Sequence, residues 1–224
     1  MRTFKALACA GLLCTSGLVS AQSVVLHASN VGIDPASFGF SVLGTTITIR
    51  ETYTNSGPGS LLIRDLAPNV NYTVQKIITN NTGFVWTSFA NELFDPSGQA
   101  NDALDPAVQP AFVPAGFSTS NNSDQLSFAQ GAGLPRTSTR FPNLIVDEVT
   151  DQRDFLDFFG ANFTSGTTDN FMTFGLLDDG SNQPFLLFQR PNEFSRVIPV
   201  PAALPLLLSG LGLFGWLARR AQRA

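Results

Sequence analysis

The clearest pattern in the chain is a two-residue alternation of apolar and polar side chains. From Thr45 to Tyr53, Ile47, Ile49 and Tyr53 fall on one face and Thr46, Thr48, Arg50 and Thr52 on the other. That is the period of a half-buried antiparallel strand. Phe38, Phe40 and Val42 share a face in the same way, as do Tyr72, Val74 and Ile78. Turn-forming clusters separate such runs: Asn55-Ser56-Gly57-Pro58-Gly59, Ala67-Pro68-Asn69, Asn80-Asn81-Thr82-Gly83 and Asp178-Asp179-Gly180-Ser181-Asn182. Short strands at this spacing predict an all-β fold, an antiparallel β-sandwich with a jelly roll as one form of it. From Asp95 to Arg140 the chain is rich in Pro, Asn, Ser, Gly and Ala, with isolated apolar residues such as Phe112, Val113, Phe117 and Leu126, and it reads as long loops. A connection of that length is unusual in a compact domain, so it is a binding rim, a linker between halves, or a place where short strands go unread. Asp147 to Phe159 reads as one or two helical turns, and no internal repeat stands out.

The two ends break this pattern. Arg2 and Lys5 precede 14 uncharged residues, Ala6 to Val19, and then Val19-Ser20-Ala21 leads into Gln22. Cation, short apolar core and small-residue site come in the order of a secretory signal peptide, with cleavage expected between Ala21 and Gln22 by signal peptidase after passage through the Sec translocon. A buried N-terminal helix is the competing reading. A lipoprotein anchor fits less well, because Cys14 follows Leu13 and Cys9 comes too early in the run. Both cysteines fall in the removed segment, leaving an exported chain without a thiol for a disulfide, a metal or a nucleophile.

At the other end, Val197 to Ala218 is a run of 22 residues without a charge, followed by Arg219, Arg220 and Arg223. As a helix, 202–218 would extend about 25 Å, slightly under the roughly 30 Å of a hydrocarbon core. Pro205 would lie in its first turn, where a missing N–H costs least. The arginines would stay cytoplasmic and Trp216 would sit near the interface, which puts the body of the chain on the exported side. The succession Ile198-Pro199-Val200-Pro201-Ala202, Leu-rich span and basic tail resembles the bacterial PEP-CTERM sorting signals, and within them the VPLPA variant. Val200 stands where the commonest motif has Glu, and Ile198 where Val is usual. The resemblance covers Ile198 to Ala224. It implies that exosortase, a membrane-embedded Cys protease or transpeptidase, handles the tail at the inner membrane of a Gram-negative bacterium, and that the cargo goes to the cell surface or extracellular polysaccharide. Apart from the resemblance, each proline holds the preceding residue out of helix, keeping the backbone extended at the membrane edge. A plain membrane anchor is the alternative; a GPI signal would not end in arginines.

The expected organisation is therefore 1–21 signal peptide, 22–196 exported β-sandwich, and 197–224 sorting signal with span 202–218 and basic tail 219–224. The body keeps all 17 acids but eight of the 13 cations, the other five lying in the ends, so its net charge is −9 against −4 for the whole chain. Without a basic surplus, nucleic-acid binding is not expected. A second likeness covers Tyr72 to Leu93: a strand, an Asn-Thr-Gly turn, then Trp86-Thr87-Ser88-Phe89 and Glu92-Leu93 resemble a hairpin of many exported PEP-CTERM proteins, implying a β-sandwich without an activity. Trp86 is read as a core aromatic rather than a sugar-stacking platform.

Chemistry has few carriers. His27 is the only histidine and reads as a strand-edge residue, so Ser-His-Asp, Cys-His and multi-His metal arrangements drop out. No catalytic residue is assigned and no enzyme is expected; a two-carboxylate glycan hydrolase would need a pair that the sequence does not single out. The acidic run Asp147, Glu148, Asp151, Asp154 and Asp157 contains Arg153 and reads as a solvated face, with Asp147, Asp151 and Asp154 as weak candidates for Ca²⁺. Asp178-Asp179-Gly180 reads as a hairpin turn. Asn-x-Ser/Thr triplets at Asn71, Asn80, Asn121 and Asn162 mean little in a bacterium. The reading is an exported matrix or surface protein with a structural or adhesive role beside exopolysaccharide in a biofilm, needing no cofactor. A carbohydrate- or calcium-binding module using 95–140 is the alternative.

Overall fold

A computed structural model describes residues 21–96, 112–120, 126–147, 153–178 and 183–192. Its described elements are all strands: β1 (Ser23–Leu26), β2 (Gly39–Leu43), β3 (Thr46–Tyr53), β4 (Gly59–Arg64), β5 (Asn71–Asn80), β6 (Trp86–Pro96), β7 (Phe117–Thr119), β8 (Asn143–Asp147), β9 (Phe155–Phe163), β10 (Thr167–Leu177) and β11 (Phe185–Pro191). They form two packed sheets. One has seven strands in the order β1-β4-β11-β6-β9-β8, with β7 continuing the β9 side of β6 at Phe94 to Pro96; the other runs β10-β5-β3-β2. The all-β sandwich is as expected, and the pairing is antiparallel except between β3 and β5. That exception has a simple origin. Between them the chain crosses to the other sheet as β4 and returns, and two such reversals restore the original direction.

The same crossings correct the hairpin readings. β5 and β6, joined through Asn81 to Val85, lie in different sheets, so the Asn-Thr-Gly turn carries the chain across the sandwich. β10 and β11, which flank the Asp178-Asp179-Gly180 stretch in sequence, likewise lie in different sheets; Asp179 and Gly180 are outside the described residues. Two more corrections concern the second half. The stretch read as helical turns holds the last residue of β8 and the first five of β9, strands paired antiparallel from Asn143↔Phe159 to Asp147↔Phe155. The stretch read as loops contains β7 and two isolated bridges, Ser127↔Leu177 and, in its last residues, Thr137↔Thr173, along the outer edge of β10.

The core lies between the sheets. Trp86 is sealed, with Tyr53 and Phe163 edge-on to it at centroid distances of 5.1 and 5.3 Å, the arrangement that aromatic quadrupoles favour. The register with β9 breaks between Trp86 and Ser88, where extra β9 residues are accommodated, and Trp86, Phe89 and Leu93 all face this core. The outer face of the larger sheet carries a second cluster, Leu62, Phe94, Leu186 and Phe188, covered by Val113 and Phe117. Residues near β7 thus act as a partial third layer.

Candidate functional site

Ile198, Pro199, Val200, Pro201 and Ala202, together with Arg219, Arg220 and Arg223, lie outside the described residues. The expected cleavage bond lies just ahead of β1, where Ala21 is exposed and Gln22 donates to Tyr72 Oη at 2.7 Å. Asp151 is outside the described residues; Asp147 ends β8. Asp154 and Asp157 are buried, which corrects the solvated-face reading. The Asp154 carboxylate accepts from Ser120 Oγ at 2.5 Å, and both faces of β9 are covered at Phe155 to Phe158. Among the described residues no three His, Cys, Asp or Glu side chains converge as a metal site. His27 follows β1, contacts Ser29 Oγ at 2.8 Å and meets the Phe117 ring edge-on.

The densest polar chemistry is inside the sandwich. Glu51 on β3 and Lys76 on β5 occupy core-facing positions of alternating strands, between Ile49 and Tyr53 and between Val74 and Ile78. Across the gap, Asn91 on β6 and Gln189 on β11 are direct cross-strand partners. All four are at most 2% exposed. Lys76 Nζ lies 2.6 Å from Glu51 Oε1, donates to Gln189 Oε1, and reaches Asn91 Oδ1 at 3.4 Å. Gln189 Nε2 donates to Glu51 Oε2 at 3.2 Å, and Tyr53 Oη donates to Gln189 Oε1 at 3.4 Å. The Phe89 ring closes the ammonium side at 4.6 Å. Gly59 makes room for Tyr53: a Cβ there would collide with its hydroxyl.

Burial decides the electrostatics of this cluster. Removal from water pushes the Lys76 amine below its usual value, and the negative charges of Glu51 and Asp169 only partly oppose it. Burial, helped by Glu51, holds the Tyr53 phenol well above its usual value. Glu51 therefore touches both a lysine amine and a carboxamide in a water-poor interior, a setting for proton transfer between them.

A second cluster sits on the outer face of the larger sheet. Glu92, fully buried on β6, receives Arg153 through Nε and Nη2 at 2.5 and 2.7 Å, and Arg190 Nη2 at 2.6 Å. Arg190 stacks on Phe112 at 4.0 Å from the ring centroid. Bidentate guanidinium pairing fixes geometry strongly. It joins β6, β11 and the start of β9.

The inner cluster was not recognised from the sequence, although a signal existed. Glu51 and Lys76 interrupt the apolar side of two otherwise regular alternations, and a charge at such a position requires a buried partner. No protein-family model, curated protein or solved structure gives a match to the chain.

Proposed function

We propose that the protein is an exported, acidic β-sandwich, sorted by its C-terminal tail in the manner of a PEP-CTERM substrate, with a structural or adhesive role in the polysaccharide-rich matrix around the cell. The observation that carries this reading is the ordered succession of Pro199-Val200-Pro201, the uncharged span 202–218 and the arginines Arg219, Arg220 and Arg223. Such a span stalls in the bilayer with arginines inside and cargo outside. Two features of the body suit it. Ile198 follows Asn192 by six positions, so the cut would fall close to the folded domain. The last described strand before the tail, β11, is held on both sides by β4 and β6, so tension on the tail meets a central strand and not a fraying edge.

The mechanism is a sequence of addresses: export under the N-terminal segment, release at Ala21–Gln22, arrest by the Leu-rich span, and cleavage near Ile198 to Ala202 by exosortase. The test is replacement of Pro199 and Pro201 by Ala in the native host. The expected result is a cell-bound chain that keeps its tail, while the parent chain is processed. Normal processing of the double variant would overturn the proposal.

A further inference from the structure

We propose that Lys76 and Gln189 react to form an intramolecular amide cross-link between the two sheets, with Glu51 as the proton-transferring group and Tyr53 as hydrogen-bond donor to the reacting carbonyl. The cluster holds each component this reaction needs. The amine and the carboxamide it would attack are already adjacent, since Lys76 Nζ donates to Gln189 Oε1. Glu51 spans the amine that must lose protons, at 2.6 Å, and the carboxamide nitrogen that must gain one, at 3.2 Å. Tyr53 Oη lies 3.4 Å from the oxygen on which negative charge would develop. Holding such groups together replaces a bimolecular encounter with a unimolecular step, and donors aimed at the developing charge act most strongly where water is excluded.

The step balances. Glu51 takes a proton from the Lys76 ammonium, whose hold on it burial weakens. The Nζ lone pair attacks Cδ of Gln189 to form the Nζ–Cδ bond. Glu51 passes its proton to Nε2, the Cδ–Nε2 bond breaks, and ammonia departs. A second proton leaves Nζ through Glu51 and goes with the ammonia. An ammonium side chain and a carboxamide become a secondary amide and an ammonium ion, with no oxidation or reduction. A buried cation is lost in the process, and the departure of ammonia makes the link effectively one-way.

Gln189 is preferred to Asn91 because Glu51 contacts the Gln189 carboxamide nitrogen, whereas Asn91 Nδ2 points to Met172 Sδ at 3.6 Å. The link would close a loop spanning 113 positions and tie β5 to β11, the described strand nearest the sorting tail. It does not depend on the sorting proposal: the reaction requires only the folded sandwich, and either reading can fail alone.

The experiment is denaturing mass spectrometry of the purified full chain, with tandem sequencing of a protease digest. The expected chain is lighter than its sequence by one ammonia, with the Lys76 peptide joined to the Gln189 peptide. Sequencing is essential because Gln22, once N-terminal, can cyclise with the same mass loss. Lys76→Arg and Glu51→Gln should abolish the joined peptide, and Tyr53→Phe, which keeps the ring, should slow its appearance after refolding. A folded wild-type chain with a free Lys76 amine overturns the proposal whatever the variants do. A link from Lys76 to Asn91 overturns the choice of Gln189.

Discussion

Two charged clusters lie on opposite faces of the larger sheet, and they differ in what their chemistry permits. Outside, one carboxylate, Glu92, is held by two guanidiniums whose side chains keep 20% and 11% exposure. Arginine does not give up its proton in a protein, so that arrangement is a fixed brace. Inside, the single lysine contacts both a carboxylate and a carboxamide, all sealed. Lysine shifts its pKa readily when buried and can become a nucleophile. Burial of charge alone therefore does not mark reactivity; an amine beside an acyl group does.

The largest expected effect comes from separating the two clusters by mutation. Lys76→Ala should remove the cross-link. Losing a link around so long a loop costs about 4–5 kcal/mol. Denaturant titration should show a much lower midpoint than the linked parent. Replacing Glu51, Lys76 and Gln189 together by apolar residues of similar size should remove the buried carboxylate but not restore the link.

Glu92→Ala comes next. Removing the carboxylate that Arg153 and Arg190 share should cost about 3–5 kcal/mol, read as a lower denaturation midpoint with the mass of the cross-linked chain unchanged. If it also prevents the link, the clusters are not independent. Phe112→Ala, which takes the ring from beneath Arg190, should cost about 0.5–2 kcal/mol. The smallest effect is a pH profile. In an unlinked chain, the lowered Lys76 pKa means that the unfolded state binds more protons between that value and the usual one of 10.5. Stability should therefore rise with pH across that window. The raised Tyr53 pKa acts the other way: above pH 10 the unfolded phenol ionises first and stability falls. The linked wild type should show only the fall, and Glu51→Gln should show the rise before it.

Alternation made the sandwich legible because β3 and β5 each keep one buried, mostly apolar face, with burial alternating residue by residue. Sheet membership was not legible. A turn such as Asn80 to Gly83 encodes a reversal, and whether the next strand joins the same sheet depends on distant partners, here β9 and β11 for β6. Leu126, Phe128 and Phe141 are core residues scattered through irregular backbone, so no period announces them. The acidic run around Asp154 misled for a related reason: charge suggests solvent, but a covering layer lies over that face of the sheet. The candidate site was half written in the sequence. Glu51 and Lys76 were visible as charges on apolar faces, but Asn91 and Gln189 come opposite one another only through the pairing of β6 with β11.

The functional account is tested most directly by sequencing both termini of the protein recovered from the medium and envelope of its native host. The account predicts a chain that starts at Gln22 and stops within or close to Ile198 to Ala202. A mature chain that still carries Trp216 and Arg219, or one found only in the cytosol, would contradict it.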